Sequence, residues 1–448
     1  MADKYERGDY TIPRIIVENK TQPLERQINK GGRVAIIGAF PSLKTSIGAY
    51  QTLRDLRDDF GIIAGTKSET DFDGALAAAR LFMEGIPGHG GAEQVIVCNI
   101  SEPSSETNVS GTVSDGGDDN VVVDPKRGSY SEDDGSLPDD VLKTLNTKLT
   151  KVKLENALAK IKGEDIDLLF IATSIEDDGD EDKSPGESKP ATLADKYGLI
   201  CQWLGDEFEL QRPVQLVAPL ITSTPSASTI NEVGNASKTI KVTDATEVAK
   251  IFKDNPFLLA GLYCQKLTIA ANQYQTGTQL SVIESAAHMC AFIAESRVDT
   301  SLTRKDIPGV VGVDEELYFG QNDDGYKLVR SGISVIRSKN RADRSFCVVN
   351  SELPSGYDIS HIRSVSYLIK QYELEELLGT FGSNQNIEAF KAQLNAVNRN
   401  IMGTLGIFND IDTNDVQKVS TNEVVINLKV DMAGVILVVD LGVDMEVN

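Results

Sequence analysis

The sequence of 448 residues is poor in the residue types that carry most enzyme chemistry. It contains three histidines, one tryptophan and five cysteines. The cysteines are scattered, odd in number and never spaced as CxxC, which predicts neither a disulfide framework nor a zinc knuckle and is typical of a reducing cytoplasm. Several lie in apolar runs such as VIVCNI and SFCVV, where cysteine behaves as a small buried hydrophobe.

Positive charge and long apolar runs are also scarce. The chain has 44 Lys and Arg against 67 Asp and Glu, a formal net charge of -23. Because so acidic a surface repels phosphate backbones and anionic lipid, we expect neither nucleic acid nor a membrane as a direct partner. No stretch approaches the roughly 18 apolar residues of a membrane span. The N-terminal MADKYERGDYTIP lacks the apolar core of a signal peptide.

The apolar segments that are present alternate between strand-like and helix-like patterns. This alternation predicts an α/β fold with a mostly parallel sheet and helices on both faces. Continuous apolar runs predict buried strands, and apolar residues three and four apart predict helices. The predicted strands cover 33–40, 94–100, 167–174 and 213–220, and the predicted helices include 50–60, 71–84, 150–162, 191–205 and 279–296.

Changes in composition divide the chain into four parts. The first part is a polar N-terminal arm with one short extended piece, IPRIIV, and the second is the α/β domain with two acidic surface inserts. A smaller α+β domain follows, and two strand-like segments form a C-terminal arm. The predicted bounds are 1–30 for the first arm, 31–310 for the α/β domain, 101–140 and 176–188 for the inserts, 311–420 for the α+β domain and 421–448 for the last arm.

One segment is a candidate for nucleotide binding. Gly38 to Thr45, GAFPSLKT, follows a predicted strand and precedes a predicted helix, which is the setting of a phosphate-binding GxxxxGK[ST] loop with Lys44 and Thr45 at the phosphates and magnesium. Leu43 stands where that loop needs its second glycine, and a side chain there obstructs the backbone wrap around a phosphate. The favoured interpretation is therefore that 38–45 is an ordinary loop that follows a strand. The alternative is that it binds a nucleotide in a P-loop-like enzyme.

Metal and hydrolase sites find little support. Asp178, Asp180 and Asp182 alternate as at the start of a calcium loop, but the sixth position is Lys183 and the twelfth Lys189, so a solvated acidic loop is favoured. No histidine has a metal-ligand partner three or four residues away, and no serine lies in a GxSxG setting. We predict no catalytic residues, no bound metal and no cofactor.

The order of these features resembles the contractile tail sheath family. The counterparts of the family's N-terminal half are IPRIIVENK, RVAIIGAFPS, TSIGAYQTLRDLRDDFG and DFDGALAAARLFMEG leading into AEQVIVCNI. Near the end, GISVIRSKNRADRSFCVVNSE, two helices within 360–402 and strands within 423–447 resemble the family's last third. The match is clear over roughly 1–100 and 310–448 and loose between them, and the acidic inserts depart from the family's pattern.

The resemblance implies a structural subunit rather than an enzyme. The family's middle domain is a subtilisin-like α/β fold without the protease chemistry. Its members form a helical homopolymer around an inner tail tube, which the contracting sheath drives through an envelope. The implied partners are further copies of the chain, the inner tube protein, and baseplate and tail terminator proteins. The implied location is a virion tail or injection particle assembled in the host cytoplasm.

The family's subunits are linked by terminal arms that add strands to neighbours' sheets. Here EVVINLKV alternates apolar and polar residues, which fits a strand with one buried face. We expect it to pair with 434–447, and the pair to need another sheet because an isolated hairpin is marginal in water. That sheet is a neighbour's in the main interpretation and the subunit's own in the alternative. The polar segments 19–32 and 410–422 are expected to connect the arms to the core. The predicted inter-subunit residues are Ile12, Ile15, Ile16, Val17, Val424, Ile426, Leu428, Val430, Val435, Leu437 and Val439.

Overall fold

The computed structural model describes residues 32–40, 46–60, 74–83, 85–101, 149–173, 175, 178, 190–219, 249–253, 260–263, 265–270, 277–314, 317–340, 345–372, 384–418 and 424–434. No helix within these ranges has both the length and the apolar character needed to cross a membrane. The elements in chain order are β1 (Arg33–Gly38), β2 (Ile47–Tyr50), α1 (Leu53–Phe60), α2 (Gly74–Leu81), β3 (Gln94–Asn99), α3 (Lys151–Ile161), β4 (Leu168–Ile171), α4 (Leu193–Glu209), β5 (Gln215–Pro219), β6 (Ala260–Tyr263), β7 (Leu267–Ile269), β8 (Thr278–Gln279), α5 (Val282–Glu295), β9 (Val310–Val313), α6 (Asp324–Arg330), β10 (Ile336–Asn340), β11 (Ser345–Val348), α7 (Ile359–Gln371), α8 (Asn384–Thr404), β12 (Phe408–Lys418) and β13 (Val424–Met432).

A six-stranded sheet organises the first half of the chain, in the order β2-β3-β1-β4-β5-β6. Strand β1 pairs in parallel with β3 and β4, β4 with β5, and β5 with β6, whereas β2 pairs antiparallel with β3. The central strands are buried along nearly their whole length, which is why their sequences are continuous apolar runs. The prediction of a mostly parallel sheet is confirmed.

Helices cover both faces of this sheet. On one face Val34 and Ile36 pack in a cluster with α1, α2 and α5. On the other face Ala35 and Ile37 pack in a second cluster with α3 and α4. Successive residues of a strand point to opposite faces, so the four apolar residues of VAII supply both clusters. The α/β layering predicted from the sequence is therefore correct.

Two of these helices begin with reciprocal caps. Thr192 accepts from the backbone of Asp195 at the start of α4, and the Asp195 carboxylate accepts from the backbone of Thr192. Ser281 and Glu284 make the same arrangement at the start of α5. Each cap satisfies backbone N–H groups that have no partner within the helix. The hydrogen bonds to Thr192 lower the pKa of Asp195, so the carboxylate stays charged beside the positive end of the helix dipole.

Residues on the C-terminal side of the predicted boundary at 310 contribute to the same two clusters. Ile336 and Phe346 of the β10–β11 hairpin pack in the first cluster, and Leu328 and Val335 pack in the second. The division at 310 stays a prediction.

A third cluster lies between α7, α8 and the β12–β13 hairpin. It contains Leu368 of α7, Leu394 and Ile401 of α8, and Phe408 and Ile411 of β12. Half-buried residues of β13 cover it from one side, namely Ile426, Leu428, Val430 and Met432. The C-terminal helices are therefore packed on a small sheet of their own.

This hairpin corrects one expectation, and the expected pairing of β13 with 434–447 stays a prediction. Residues 410–418 are not a polar connector, because they form most of β12. Strand β13 pairs antiparallel with β12 of the same chain, from Phe408 opposite Met432 to Lys418 opposite Val424. The physical reason is that the apolar face of β13 packs against the third cluster of the same chain. The predicted partner segment, 434–447, lies outside the described residues except for Gly434.

Polar contacts join α7 to the amino ends of the central strands. Lys370 donates from Nζ to the Ile166 carbonyl at 2.8 Å and to Asp167 Oδ1 at 2.6 Å. Asp167 also accepts from the backbone N–H of Arg33, the first residue of β1, at 3.1 Å. At the other end of α7, His361 Nε2 donates to the carbonyl of Ala433, just after β13, at 2.9 Å. Helix α7 thus connects the C-terminal hairpin to the sheet.

Gly332, in the turn between α6 and β10, is required by its surroundings. Its φ of +75° lies in the left-handed region, and an added Cβ would lie 2.2 Å from the Pro354 nitrogen and 2.3 Å from the Leu353 carbonyl carbon. We expect Gly332→Ala to destabilise the chain by about 3 kcal/mol or more, since backbone strain and a backbone clash add. Gly356 is a matched control, with a φ of +84° and nothing within 4 Å of its Cβ position.

Gly356→Ala should cost only about 1 kcal/mol, because it carries the strain without the clash. Urea denaturation of both variants measures the difference. Equal midpoints for the two variants would show that the close approach of 353–354 to Gly332 is unimportant.

Candidate functional site

The carboxyl ends of parallel strands are where open α/β sheets bind ligands, and the candidate loop Gly38 to Thr45 begins there. In the structure this edge is filled by the chain's own side chains. Phe40 is fully buried, and its backbone N–H donates to Asn99 Oδ1 while Asn99 Nδ2 donates back to the Phe40 carbonyl, both at 3.0 Å. The exit of β1 is thereby fixed to the end of β3.

The start of α2 leaves little space around this exit. A Cβ at Gly74 would lie 2.6 Å from the Ala39 carbonyl oxygen and 2.9 Å from the Phe40 ring. A Cβ at Gly38 would lie 3.0 Å from the Cβ of Ala172. The backbone N–H of Phe40, which a phosphate-binding loop would offer to its ligand, is occupied by Asn99.

A phosphate-binding loop is followed directly by a helix, and within the described residues the segment after 41–45 does not begin with one. Residues 41–45, with Lys44 and Thr45, lie outside the described residues. The element that follows them is not a helix but strand β2, and α1 begins only at Leu53. A strand presents no row of free N–H groups along its axis, whereas a helix N-terminus does. The expectation of a helix starting at Tyr50 is corrected accordingly.

We predict that Lys44 has no catalytic role. Lys44→Ala should leave stability within about 0.5 kcal/mol of the parent, as for a typical surface change, and should leave assembly unchanged. Thermal unfolding and a phosphate-release assay with ATP check both parts. ATP hydrolysis by the parent that disappears in Lys44→Ala would overturn the prediction.

Asp178, the first residue of the candidate calcium loop, is buried in an ion pair. Its Oδ1 lies 2.7 Å from Nζ of Lys196 on α4, and both side chains are almost fully inaccessible to solvent. Its Oδ2 accepts from the backbone N–H of Lys151 at the start of α3, and Lys196 also donates to the Leu149 carbonyl. These contacts hold the starts of α3 and α4 to the segment after β4.

This arrangement uses the carboxylate as an anchor within the protein. Asp180, Asp182, Lys183 and Lys189 lie outside the described residues, and no group of metal-ligating side chains occurs within the described ranges. The Asp178 backbone N–H donates to the Ala191 carbonyl at 2.7 Å, so the two ends of the acidic insert 176–188 are held together.

The three histidines have different hydrogen-bond partners. His288 is buried on α5 and donates from Nε2 to the Pro308 carbonyl at 2.9 Å; burial lowers its pKa to about 4, so it is neutral at pH 7. His89 Nδ1 lies 2.9 Å from Glu295 Oε2, and both of these groups act electrostatically on His288. His361, on α7, bonds to Ala433.

The thiols behave as buried hydrophobes. Cys98, Cys290 and Cys347 are buried and Cys201 is half-buried, with no disulfide among these four. Burial raises the pKa of Cys98 and of Cys201 to about 11 and raises that of Cys290 further. They remain protonated at neutral pH and are poor nucleophiles. The expectation that cysteines in apolar runs are buried is confirmed for Cys98 and Cys347; Cys264 lies outside the described residues.

The predicted inter-subunit residues fall into two groups. The backbone of Val424 and the side chains of Ile426, Leu428 and Val430 lie in β13, where these three side chains pack half-buried against the third cluster of the same chain. Their role between subunits stays a prediction. The others lie outside the described residues; they are Ile12, Ile15, Ile16, Val17, Val435, Leu437 and Val439.

Sequence reasoning missed the buried ion pair, although a signal for it exists. Lys196, Ile200 and Leu204 are spaced four residues apart along the buried face of α4. A lysine on the apolar stripe of an amphipathic helix needs a carboxylate nearby, because an unpaired buried charge is costly. The choice of Asp178 as that partner depends on the packing of the helices, which the sequence does not reveal.

The fold of this chain also occurs in solved structures of other proteins. No protein-family model matches the chain, and no curated protein does so. Among solved structures, a sheath tail protein from Desulfitobacterium hafniense is similar over 94% of this chain and 100% of that one, with a TM-score of 0.52 and 9% identity. A sheath tail protein from Listeria innocua is similar over 91% of this chain and 97% of that one, with a TM-score of 0.51 and 11% identity.

A third solved structure is a polymer. The helical sheath of the anti-feeding prophage in its contracted state has a subunit that is similar over 97% of this chain and 99% of that one, with a TM-score of 0.50 and 13% identity. At these identities the likeness concerns the fold. The resemblance to the tail sheath family that the sequence analysis identifies is confirmed at that level.

Proposed function

We propose that this protein is the sheath subunit of a contractile tail or a related injection particle. The observation that carries the proposal is the extent of the likeness, since three sheath proteins are matched over 91 to 97% of this chain and over 97 to 100% of their own. In this proposal the central α/β layer is the subtilisin-like middle domain, and it serves as a rigid body rather than a catalyst.

The described residues are consistent with a body of this kind. The carboxyl edge of the sheet at β1 is filled by Phe40 and Asn99, and the candidate calcium ligand Asp178 is an internal anchor. A packed edge and a buried ion pair favour a subunit that keeps its shape while it moves relative to its neighbours. The partners in the proposal are further copies, an inner tube protein, and baseplate and tail terminator proteins.

The β12–β13 hairpin supplies a platform for arms of neighbouring subunits. Within the described residues its two strands pair with each other, and a strand at the edge of a sheet can take up a further strand. A segment such as Ile12 to Val17, or the segment containing Val435, Leu437 and Val439, would add there as a further strand. Four backbone hydrogen bonds at roughly 1 kcal/mol each give about 4 kcal/mol per arm.

Negative-stain electron microscopy of the purified protein tests the proposal. Hollow tubes or rings of uniform diameter are the expected result. A protein that stays monomeric at high concentration, with or without an inner tube protein from the same particle, would refute it.

The acidic insert 101–140 should be dispensable for assembly. Residues 112–138 are rich in Ser, Gly and Asp, and such a composition cannot bury enough apolar area to form a packed interface. We expect it on the outer face of the tube. Replacing 112–138 by a short Gly/Ser linker should leave tube length and diameter unchanged under the microscope; a folded variant that forms no tubes would show that the insert makes a contact.

A further inference from the structure

We propose that a basic patch around the β10–β11 hairpin binds the acidic insert 176–188 of a second copy of this chain. The basic patch consists of Arg304, Lys305, Arg337 and Lys339. The inference rests on the proposed function, because it describes a contact within the polymer, and it assigns that contact to two surfaces of opposite charge.

The register of three neighbouring segments brings the basic patch together. Arg337 of β10 lies opposite Cys347 of β11. On the other side of Cys347, the backbone of Asp306 forms an isolated antiparallel β-bridge with it. Arg304 donates from its backbone N–H to the Val348 carbonyl at 2.8 Å. Since neighbouring strands lie about 4.8 Å apart, the backbones that carry the four cations span roughly 10 Å.

One face of the hairpin packs on the first cluster, and the opposite face carries Arg337 beside the buried Cys347. Ile336, Phe346 and Val348 pack in the first cluster, whereas Arg337 is half-buried and Lys339 is exposed. Burial raises the pKa of the Cys347 thiol, while Arg304, Arg337 and Lys339 act on it in the opposite direction.

Most of this positive charge is not neutralised within the described residues. Lys339 pairs with Asp306 at 2.9 Å, but Arg304, Lys305 and Arg337 make no ion pair with another described residue. Arg337 instead lies over the Phe319 ring, 5.7 Å from its centroid, and Arg304 and Lys305 are exposed. The connecting residues 341–344, RADR, add two arginines and one aspartate to this stretch of the sequence.

The acidic insert 176–188 is a suitable occupant. It contains seven acidic residues and one lysine. Asp178 is neutralised internally by Lys196, and the hydrogen bond from Asp178 to Ala191 closes the base of the insert. An anchored base reduces the conformational entropy that the insert loses on binding.

The net charge of the chain explains why such a contact is needed. Each copy carries a formal charge of -23, so copies repel one another unless their contacts are complementary. A helical polymer is built from heterologous contacts, in which one surface of a subunit meets a different surface of the next. A cationic surface and an anionic surface on the same chain satisfy this requirement.

The first test measures binding without any polymer. A fluorescein-labelled peptide of residues 174–190 is titrated with the full-length chain, and fluorescence anisotropy is read at about 50 mM and about 500 mM salt, where screening differs strongly. Binding should be at least about tenfold weaker at high salt, and similarly weakened by Arg304→Glu/Lys305→Glu/Arg337→Glu at low salt.

A matched control carries the same change in net charge. Arg54→Glu/Lys160→Glu/Arg399→Glu alters three exposed cations on three separate helices, and it should leave peptide affinity within about twofold. Failure of the peptide to bind the parent at low salt, or equal weakening by both triple variants, would overturn the inference.

The second test uses assembly. The patch variant above and the insert variant Asp180→Lys/Glu181→Lys/Asp182→Lys should each fail to form tubes alone, because like charges then meet at the contact. Mixed in equal amounts they should co-assemble, since each reversed surface finds its opposite on the other variant. A contact within one chain would not be rescued by mixing, and that outcome would contradict the inference.

The two proposals fail differently. A parent that binds the peptide but forms no tubes would refute the sheath function and leave the binding site standing. The binding site alone would be refuted by a different result, in which the parent and the patch variant both form tubes and the peptide does not bind.

Discussion

Removal of residues 435–448 should leave a folded chain that no longer assembles into tubes. The described fold reaches Gly434, and strand β13 ends at Met432, so this truncation keeps the β12–β13 hairpin and the third cluster. What it removes is the segment that contains Val435, Leu437 and Val439, which we expect to add to a neighbour's sheet. Circular dichroism and thermal unfolding report the fold, and electron microscopy reports assembly.

The longer truncation of 421–448 is the contrasting case. It deletes β13, so Ile426, Leu428 and Val430 no longer cover the third cluster, and the hydrogen bond from His361 to Ala433 is lost. We expect a loss of at least about 4 kcal/mol, in the range of large-to-small changes in a core. Tubes formed by the 435–448 truncation would refute the arm proposal, and equal stability of the two truncations would show that β13 does not belong to the subunit's core.

Asp178→Ala should be among the most destabilising single substitutions in the chain. It leaves the Lys196 ammonium buried without a carboxylate, and breaking a buried ion pair from one side costs about 3 to 5 kcal/mol. It also removes the acceptor for the Lys151 backbone N–H, so the start of α3 loses a contact. Urea denaturation measures the effect.

Two further variants make this experiment specific. Glu388→Ala removes a pair with Lys391 in which the glutamate is 72% exposed, and it should cost less than about 1 kcal/mol. Asp178→Leu/Lys196→Met replaces the pair by apolar side chains and should recover most of the loss. If Asp178→Ala is no more destabilising than Glu388→Ala, the buried pair does not anchor the helices.

The elements that could be predicted are those in which one physical cause dominates. Strands β1, β3, β4 and β5 are buried on both faces, and their apolar runs reveal them directly. Helices α3 and α4 carry an apolar face at helical spacing, and α2 and α5 are apolar and buried along most of their length. Both patterns depend on the immediate sequence alone.

Strands β2 and β12 were missed for different reasons. Strand β2, Ile47–Tyr50, is a four-residue edge strand with one buried residue, so it leaves no apolar run. Among the β12 side chains that the structure describes, Phe408, Ile411 and Thr413 are buried, and they do not alternate strictly. The register shifts between Phe408 and Asp410 and again between Asp412 and Asp415, and such bulges break the two-residue period that identifies a strand.

At the candidate site, too, the sequence reveals local requirements but not contacts between distant residues. Leu43 in place of glycine correctly argues against phosphate binding by the usual loop, because that requirement is local. The filling of the same edge by Phe40, Asn99 and Gly74 depends on residues up to 59 positions apart that only the folded sheet brings together. The partnership of Asp178 with Lys196 is likewise a product of helix packing.

The contacts of α7 have a mechanical meaning. A pull on the C-terminal hairpin reaches α7 (Ile359–Gln371) through the hydrogen bond between His361 and Ala433. It leaves α7 nine residues later, through Lys370 and Asp167, into the hydrogen-bonded strands β1 and β4. These contacts act in series along about 14 Å of helix. Tension would therefore load the two strands at the middle of the sheet, where the backbone ladder is continuous on both sides, and would bypass the edge strand β2.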